Sequence, residues 1–198
     1  LSFEHQAITH LTGTTSLLGA ALAHGDLRAA WQLSAMILAF VAGAVLSGLL
    51  IQDSVLRLGR RYGVALGLES LLLFASVPLF QRGLFLGPVL AAMAIGLQNA
   101  MGTTYSGAIV RTSHVSGMFT DLGITLGHAL RGLPVARRRL ALCLVIISAF
   151  RSGGSLGALL FGHWEHRALY LPALLTGSTG LVYAVYRHRK IASGKLQP

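Results

Sequence analysis

THLTGTTSLLGAALAH, residues 9–24, returns as SHVSGMFTDLGITLGH at residues 113–128. Six of the sixteen positions are identical at a constant separation of 104 residues, and others exchange Thr for Ser or Leu for Val. A second pair of stretches, 39–50 and 149–160, shares Ala-Phe, Gly, Leu and Leu-Leu at a separation of 110 residues. Two matched blocks in the same order indicate an internally duplicated chain.

The composition indicates that these repeats lie in a membrane. Hydrophobic residues make up 54% of the chain and charged residues 11%, against roughly 25% charged residues in soluble domains. Five nearly charge-free runs are long enough to cross a hydrocarbon core of about 30 Å; they are residues 29–51, 62–81, 84–106, 139–162 and 168–186. The sequence therefore predicts an all-α, polytopic membrane helix bundle.

The repeat predicts how the bundle is organised. The 84–106 run precedes the second motif, whereas the first motif has no such run before it, so we expect the first helix of repeat one to be missing from this chain. Three helices per repeat would reverse the second copy relative to the first. We therefore expect two inverted repeats, 1–81 and 84–186, in one transmembrane domain over 1–186, followed by a basic, poorly ordered tail over 187–198.

Basic residues predict the orientation, because short cytoplasmic loops are enriched in Lys and Arg. Three basic clusters fall on one side of the predicted bundle, at residues 57–61, 131–139 and 187–195. This pattern places the C-terminus in the cytoplasm. It also accounts for the net charge of +10 without a nucleic-acid partner, since the basic groups occur at helix ends and lack interleaved aromatic residues.

Motifs of common enzyme classes are absent from the sequence. There is no Walker loop, HExxH, CxxC or GxSxG motif, so standard ATPase, metalloprotease, redox and hydrolase functions have no support. The single Cys143 excludes an internal disulfide framework. His163 and His166 are a weak exception to the lack of metal-ligand spacing. We expect a protein that is not an enzyme and has no cofactor and no metal.

Two blocks resemble a known family. Gly96-Leu97-Gln98-Asn99-Ala100 and the stretch from Arg111-Thr112-Ser113-His114 to Thr120-Asp121-Leu122-Gly123 are similar to the signature of the YoaK family of bacterial integral membrane proteins of unknown function. Family members usually carry Asn after the motif glycine, where this chain has Thr14 and Met118. The resemblance implies a multi-pass protein of the bacterial inner membrane.

The duplicated motif predicts a candidate binding site. Small hydroxyl residues, an imidazole and a glycine favour a break in helical geometry that frees backbone groups for a ligand, and transporters with inverted repeats place such breaks around the substrate. The alternatives are close helix packing at the glycines and interhelical hydrogen bonds at the amides. The candidate substrate-binding residues are His10, Thr12, Gly13, Gln98, Asn99, His114, Ser116 and Gly117.

Ionisable residues within or beside the apolar runs are candidates for proton coupling. Glu69 and Arg151 lie inside predicted spans and Asp121 follows the second motif, where the first copy has Leu17. A charge at the centre of a spanning helix costs roughly 2.5–3.5 kcal/mol, so it usually faces the bundle interior and has a partner. The alternatives are a structural Glu69–Arg151 pair and a protonated Glu69 hydrogen-bonded to a neighbour.

These observations favour a secondary transporter or facilitator of a small polar solute, bound between the two motifs. We expect the lipid bilayer and an unidentified small solute as partners, and we leave a homo-oligomer open. A noncatalytic membrane scaffold or accessory subunit is the alternative. An intramembrane enzyme is the third reading, but His114 and its candidate partner Asp121 are seven residues, or two helical turns, apart.

Overall fold

The computed structural model describes residues 11–51, 61–106 and 114–192, and His10 lies outside these ranges. Within them the chain forms seven α-helices. These are α1 (Leu11–Ala23), α2 (Leu27–Leu50), α3 (Arg61–Gln81), α4 (Leu86–Ser106), α5 (Val115–Leu130), α6 (Arg137–Trp164) and α7 (Tyr170–Ala192). A five-residue 3₁₀ turn, Glu165–Leu169, joins α6 to α7. The described part of the chain contains no strand, and the predicted all-α fold is confirmed.

Each of the five predicted spans coincides with a helix. Three helical stretches are long and apolar enough to cross a membrane: Leu27–Leu50, Arg61–Gln81 and the 54-residue stretch Arg137–Lys190. The last would extend roughly 80 Å as one helix, and the positive φ of 47° at Glu165 divides it into α6 and α7. The 21-residue α4 also has the required length. It is not one of these three stretches, and its adjacent amides Gln98 and Asn99 lower its hydropathy.

Local interactions account for the start of α2 and the end of α7. Asp26 is the N-cap of α2, and its carboxylate accepts a hydrogen bond of 2.9 Å from the backbone N–H of Ala29. The expectation of a poorly ordered tail from residue 187 is wrong for residues 187–192, because α7 continues through Ala192. Arg189 and Lys190 lie in its last turn, where cations interact favourably with the helix dipole.

The helices form two compact units. The first contains α1 to α4 together with α7, and the second, Val110–Glu165, contains α5 and α6. The predicted boundaries of the two repeats follow a different criterion, sequence similarity, and stay a prediction.

A close crossing of α2 and α4 organises the first unit. Leu33 and Met36 at the start of α2 cluster with Ala92 of α4, while Ile51 after α2 clusters with Leu97 and Met101. The two helices therefore run in the same direction.

Two glycines allow the backbones of α2 and α4 to touch. A Cβ atom added at Gly43 would overlap the carbonyl of Met93, and one added at Gly96 would overlap the carbonyl of Phe40. Small residues of this kind let helices approach closely where the surrounding lipid gives no hydrophobic drive for association.

Helix α4 also packs against α3, which in turn contacts α7. Tyr62 and Ala65 of α3 cluster with Leu97 of α4. The hydroxyl of Ser70 donates a hydrogen bond of 2.7 Å to the carbonyl oxygen of Ala173 in α7. Helix α3 is thus held between two neighbours.

The α3–α7 contact is antiparallel. Near its other end a Cβ added at Gly180 would lie 3.2 Å from the carbonyl oxygen of Gly63 and 3.5 Å from the backbone nitrogen of Gly67. Since Ser70 meets Ala173 while Gly63 meets Gly180, residue numbers rise along one helix as they fall along the other.

Two smaller contacts complete the units. In the first unit Leu18 and Ala21 of α1 pack against the cluster formed by Leu33 and Met36 of α2. In the second unit Met118 of α5 is buried with Cys143 and Ile146 of α6. Cys143 is therefore a packing residue in the described structure.

Large apolar side chains cover the outer faces of the first unit. Leu38 and Leu49 of α2 are 64% and 71% exposed, and Leu71 of α3 is 64% exposed. Patches of this kind mark interaction with a partner or a membrane, and here they occur on helices of membrane-spanning length. These faces are consistent with contact to lipid.

The α2–α4 crossing predicts a position-specific loss of stability. Gly43→Ala forces the backbones apart and is expected to lower the free energy of unfolding by about 1–3 kcal/mol, the usual cost of overpacking. Gly48→Ala on the same helix is the control, because a Cβ there meets nothing within 4 Å and helix propensity favours Ala. Thermal unfolding in detergent measures both, and equal midpoints for the two variants would contradict the crossing.

Candidate functional site

Glu69 is an acidic side chain buried within the first unit. It is 2% exposed, and its Oε2 atom is buried without a hydrogen-bond partner among the described residues. It lies eight residues after Arg61, the first residue of α3, or roughly 12 Å along the helix axis at 1.5 Å per residue. The carboxyl group therefore lies deep inside a helix of membrane-spanning length.

The surroundings of Glu69 come from three helices. One turn before it, Ala65 clusters with Leu97 of α4. One turn after it, Leu73 clusters with Ala94 of α4 and Ala173 of α7. Glu69 thus lies where α3, α4 and α7 meet, beside the Ser70 hydrogen bond.

A second buried oxygen without a hydrogen-bond partner among the described residues lies on α2, and it was not predicted from the sequence. Ser47 is fully buried, and its Oγ atom has no hydrogen-bond partner in the described structure. It follows Gly43 by one turn on the face that contacts Met93 and Leu97 of α4. Ser47 on α2 and Glu69 on α3 both lie against α4 at the depth of Leu97. A single Ser in an apolar helix is common, so the sequence did not mark Ser47 as a candidate site residue.

Gln98 and Asn99 occupy the same depth, since they follow Leu97 in α4. Gln98 is exposed and Asn99 is half-buried. The carbonyl oxygen of Asn99 accepts a hydrogen bond of 2.8 Å from the hydroxyl of Thr103. The first unit therefore brings the two predicted amides and the predicted carboxyl group to one level of α4.

The motif glycine of the first copy is not a helix break. Thr12 and Gly13 are exposed in the first turn of α1, and α1 continues without interruption to Ala23. The carbonyl oxygen of Thr12 accepts a hydrogen bond of 3.1 Å from the hydroxyl of Ser16. A Cβ at Gly13 would meet nothing within 4 Å, so this glycine makes no close helix contact with the described residues.

The second copy has the same arrangement in the second unit. His114 is the N-cap of α5, and its carbonyl oxygen accepts a hydrogen bond of 3.1 Å from the backbone N–H of Gly117. Ser116 and Gly117 are exposed, and a Cβ at Gly117 would meet nothing within 4 Å. In both copies the described helix begins inside the motif, at Leu11 and at Val115, and continues through the motif glycine without interruption.

Asp121 has a cationic partner within the second unit. Its Oδ1 atom lies 2.9 Å from Nη2 of Arg139 in α6, with the two side chains 25% and 64% exposed. The carboxylate of Asp121 is thus paired with Arg139. Because α5 is unbroken, Asp121 lies two helical turns from His114. The enzyme alternative requires a direct hydrogen bond between His114 and Asp121. The helix geometry does not support that hydrogen bond.

Arg151 is exposed on α6, in the second unit. Glu69 belongs to the first unit, so the Glu69–Arg151 pair stays a prediction. Among the described residues there is no group of three or more His, Cys, Asp or Glu side chains placed to hold a metal ion.

Long apolar helices, lipid-compatible outer faces and a buried carboxyl group define a helical membrane protein. The chain belongs to the family described as "Protein of unknown function (DUF1275)", whose model matches residues 1–182. The resemblance to the YoaK family is consistent with this match. No curated protein and no solved structure shows significant similarity to the chain.

Because Oε2 of Glu69 has no hydrogen-bond partner among the described residues, Glu69 is expected to reduce stability. An apolar replacement of similar volume, Glu69→Met, is expected to raise the free energy of unfolding by about 1–3 kcal/mol, because a buried polar atom without a hydrogen bond costs about that much. Glu69→Gln, which stays polar, should give a smaller change. Thermal unfolding in detergent compares the three proteins, and a lower midpoint for Glu69→Met would reveal a structural partner.

The Asp121–Arg139 pair is expected to contribute little, because it is partly exposed. A double-mutant cycle of Asp121→Asn and Arg139→Gln should give a coupling energy below about 1 kcal/mol, as for other exposed ion pairs. Arg138→Gln provides the control for general charge loss. A coupling energy of several kcal/mol in chemical unfolding would contradict this reading.

Proposed function

We propose that this chain is a secondary transporter or facilitator of a small polar solute, with Glu69 as the group that carries the coupling proton. The observation behind this proposal is a buried carboxyl group where three membrane-length helices meet, one oxygen of which has no hydrogen-bond partner among the described residues. Intramembrane acidic residues of this kind mark ion and proton pathways. In this proposal the protein is not an enzyme. It lies in the inner membrane with its C-terminus in the cytoplasm.

The contacts between α3 and α7 support inverted repeats. The separation of 110 residues that aligns α2 with α6 also pairs positions of α3 with positions of α7: Gly63 with Ala173, Gly67 with Gly177 and Ser70 with Gly180. Ser70 contacts Ala173 and Gly177, and its counterpart Gly180 contacts Gly63 and Gly67. Contacts that recur with the roles exchanged are typical of a two-fold axis.

The direction of this axis also favours inversion. Because α3 and α7 are antiparallel, a two-fold axis that exchanges them is perpendicular to both helices. For membrane-spanning helices such an axis lies in the plane of the membrane, as in transporters with inverted repeats, whose sites lie near the midplane at the repeat interface. Glu69 is adjacent to Ser70, and therefore next to the proposed axis.

The solute-binding residues are proposed by position. Gln98 and Asn99 are uncharged hydrogen-bonding groups at the depth of Glu69, suited to a polar solute. Thr12 and Gly13 in the first unit, with His114, Ser116 and Gly117 in the second, offer exposed polar and backbone groups from the two motif copies. Asp121 is the weaker candidate for proton coupling, because Arg139 already neutralises it.

Transport in proteoliposomes tests the role of Glu69. Purified protein is reconstituted and screened against a library of small polar solutes by electrophysiology on a solid-supported membrane. A solute that evokes proton-coupled current in the wild type should give at least about tenfold less current with Glu69→Gln, since the proton-binding group is gone. Asp121→Asn is the matched carboxylate control and should keep most of the current.

Two outcomes count against the proposal. Equal currents from the wild type and Glu69→Gln would exclude Glu69 as the coupling group. A library that evokes no current and shifts no unfolding midpoint, together with stable co-purification of one membrane protein, would favour the scaffold alternative.

A further inference from the structure

A groove runs between α3 and α7 within the first unit. Its volume is about 860 Å³, and its glycine-rich part includes Gly67, Gly177 and Gly180. A Cβ at Gly67 would meet nothing within 4 Å, although Gly180 nearby is in close contact with α3. The groove is therefore open beside the helix crossing, where the absence of side chains leaves room for a ligand.

The two ends of the groove differ in chemistry. Val64 and Leu181 line its apolar part, while Arg187, His188 and Arg189 line it along the last turns of α7. None of the described residues that line it is acidic. An apolar groove that ends in a basic cluster complements an amphiphile with a negatively charged head.

The basic end lies at the end of a membrane-length helix, where a lipid headgroup would be found. Lys190 extends the basic cluster, and its Nζ atom lies 5.0 Å from the ring centroid of Tyr186. Tyrosine rings are favoured at the membrane–water interface, and basic pockets between spanning helices bind anionic headgroups. Positive charge, interfacial position and an adjoining apolar channel thus occur together.

We propose that this groove binds an anionic phospholipid, with the headgroup phosphate at Arg187 and Arg189 and one acyl chain over Gly67. A free phosphate ion would use only the basic end, whereas a phospholipid occupies the apolar part as well. Arg187 and Arg189 act as ligands of the headgroup. The site is separate from the proposed proton-coupling group, Glu69, and does not depend on transport.

Native mass spectrometry of the detergent-purified chain tests the headgroup contact. The protein is titrated with phosphatidylglycerol and with phosphatidylcholine of identical acyl chains. The double variant Arg187→Gln, Arg189→Gln should bind phosphatidylglycerol roughly 10- to 30-fold more weakly, given the contribution of each cation near an anionic surface. Arg28→Gln with Arg82→Gln removes the same charge elsewhere in the first unit and should leave binding unchanged.

The acyl chain is tested separately. Gly67→Leu places a side chain in the open channel and should weaken phosphatidylglycerol binding at least about fivefold, while Gly48→Leu, at an open position on α2, should not. Thermal unfolding checks that each variant is folded, and Val64→Trp replaces Gly67→Leu if that variant is not. Inorganic phosphate is added as a competitor.

Three results would overturn the proposal. The first is equal loss of phosphatidylglycerol binding in the groove and control arginine variants. The second is equal affinity of the wild type for phosphatidylglycerol and phosphatidylcholine. The third is displacement of the lipid by millimolar inorganic phosphate with no effect of Gly67→Leu, which would identify a simple anion site.

Discussion

The backbone contact between α2 and α4 at Gly43 and Gly96 is the constraint on which the first unit depends. In lipid, apolar side chains gain little by leaving one apolar environment for another, so close packing and interhelical hydrogen bonds hold helices together. With α2 fixed on one side of α4, α3 packs on α4 through Tyr62 and Ala65, and α7 is attached to α3 by the Ser70 hydrogen bond. The central position of α4 is what buries Glu69.

Within the part of the chain that the structure describes, Glu69 is buried with an unpartnered oxygen, whereas Asp121 is paired. A buried carboxylate is normally paired, because pairing offsets the cost of removing charge from water. Asp121 is only partly buried and nevertheless has Arg139 as a partner. Glu69 instead has one oxygen, and Ser47 another at the same depth of α4, without a hydrogen-bond partner among the described residues. Unsatisfied buried polar atoms are rare enough to require an explanation. A group that must accept and release a proton, or bind a transient ligand, gives one.

The sequence predicted the spans well because length and the lack of charge are properties of a helix as a whole. It also singled out Glu69, since one carboxyl group in an apolar run is conspicuous. The contacts were harder to predict, because a helix that is apolar on every side has no periodicity to show which face packs. Among the glycines that recur between the two copies, Gly13 and Gly117 make no close contact with described residues, whereas Gly43 and Gly177 do.

The proposed symmetry is one of backbone contacts and not of chemistry. At the separation of 110 residues, the counterpart of Glu69 is Thr179, an exposed residue whose hydroxyl donates a hydrogen bond of 2.7 Å to the carbonyl oxygen of Leu175 in its own helix. On the proposed function, two repeats that pack equivalently exchange conformations at little cost. A proton-binding group in one repeat alone then makes the two exchanged states unequal, and protonation shifts the population between them only through that difference. On the proposed function, the asymmetry of Glu69 and Thr179 is what would couple a proton to alternating access.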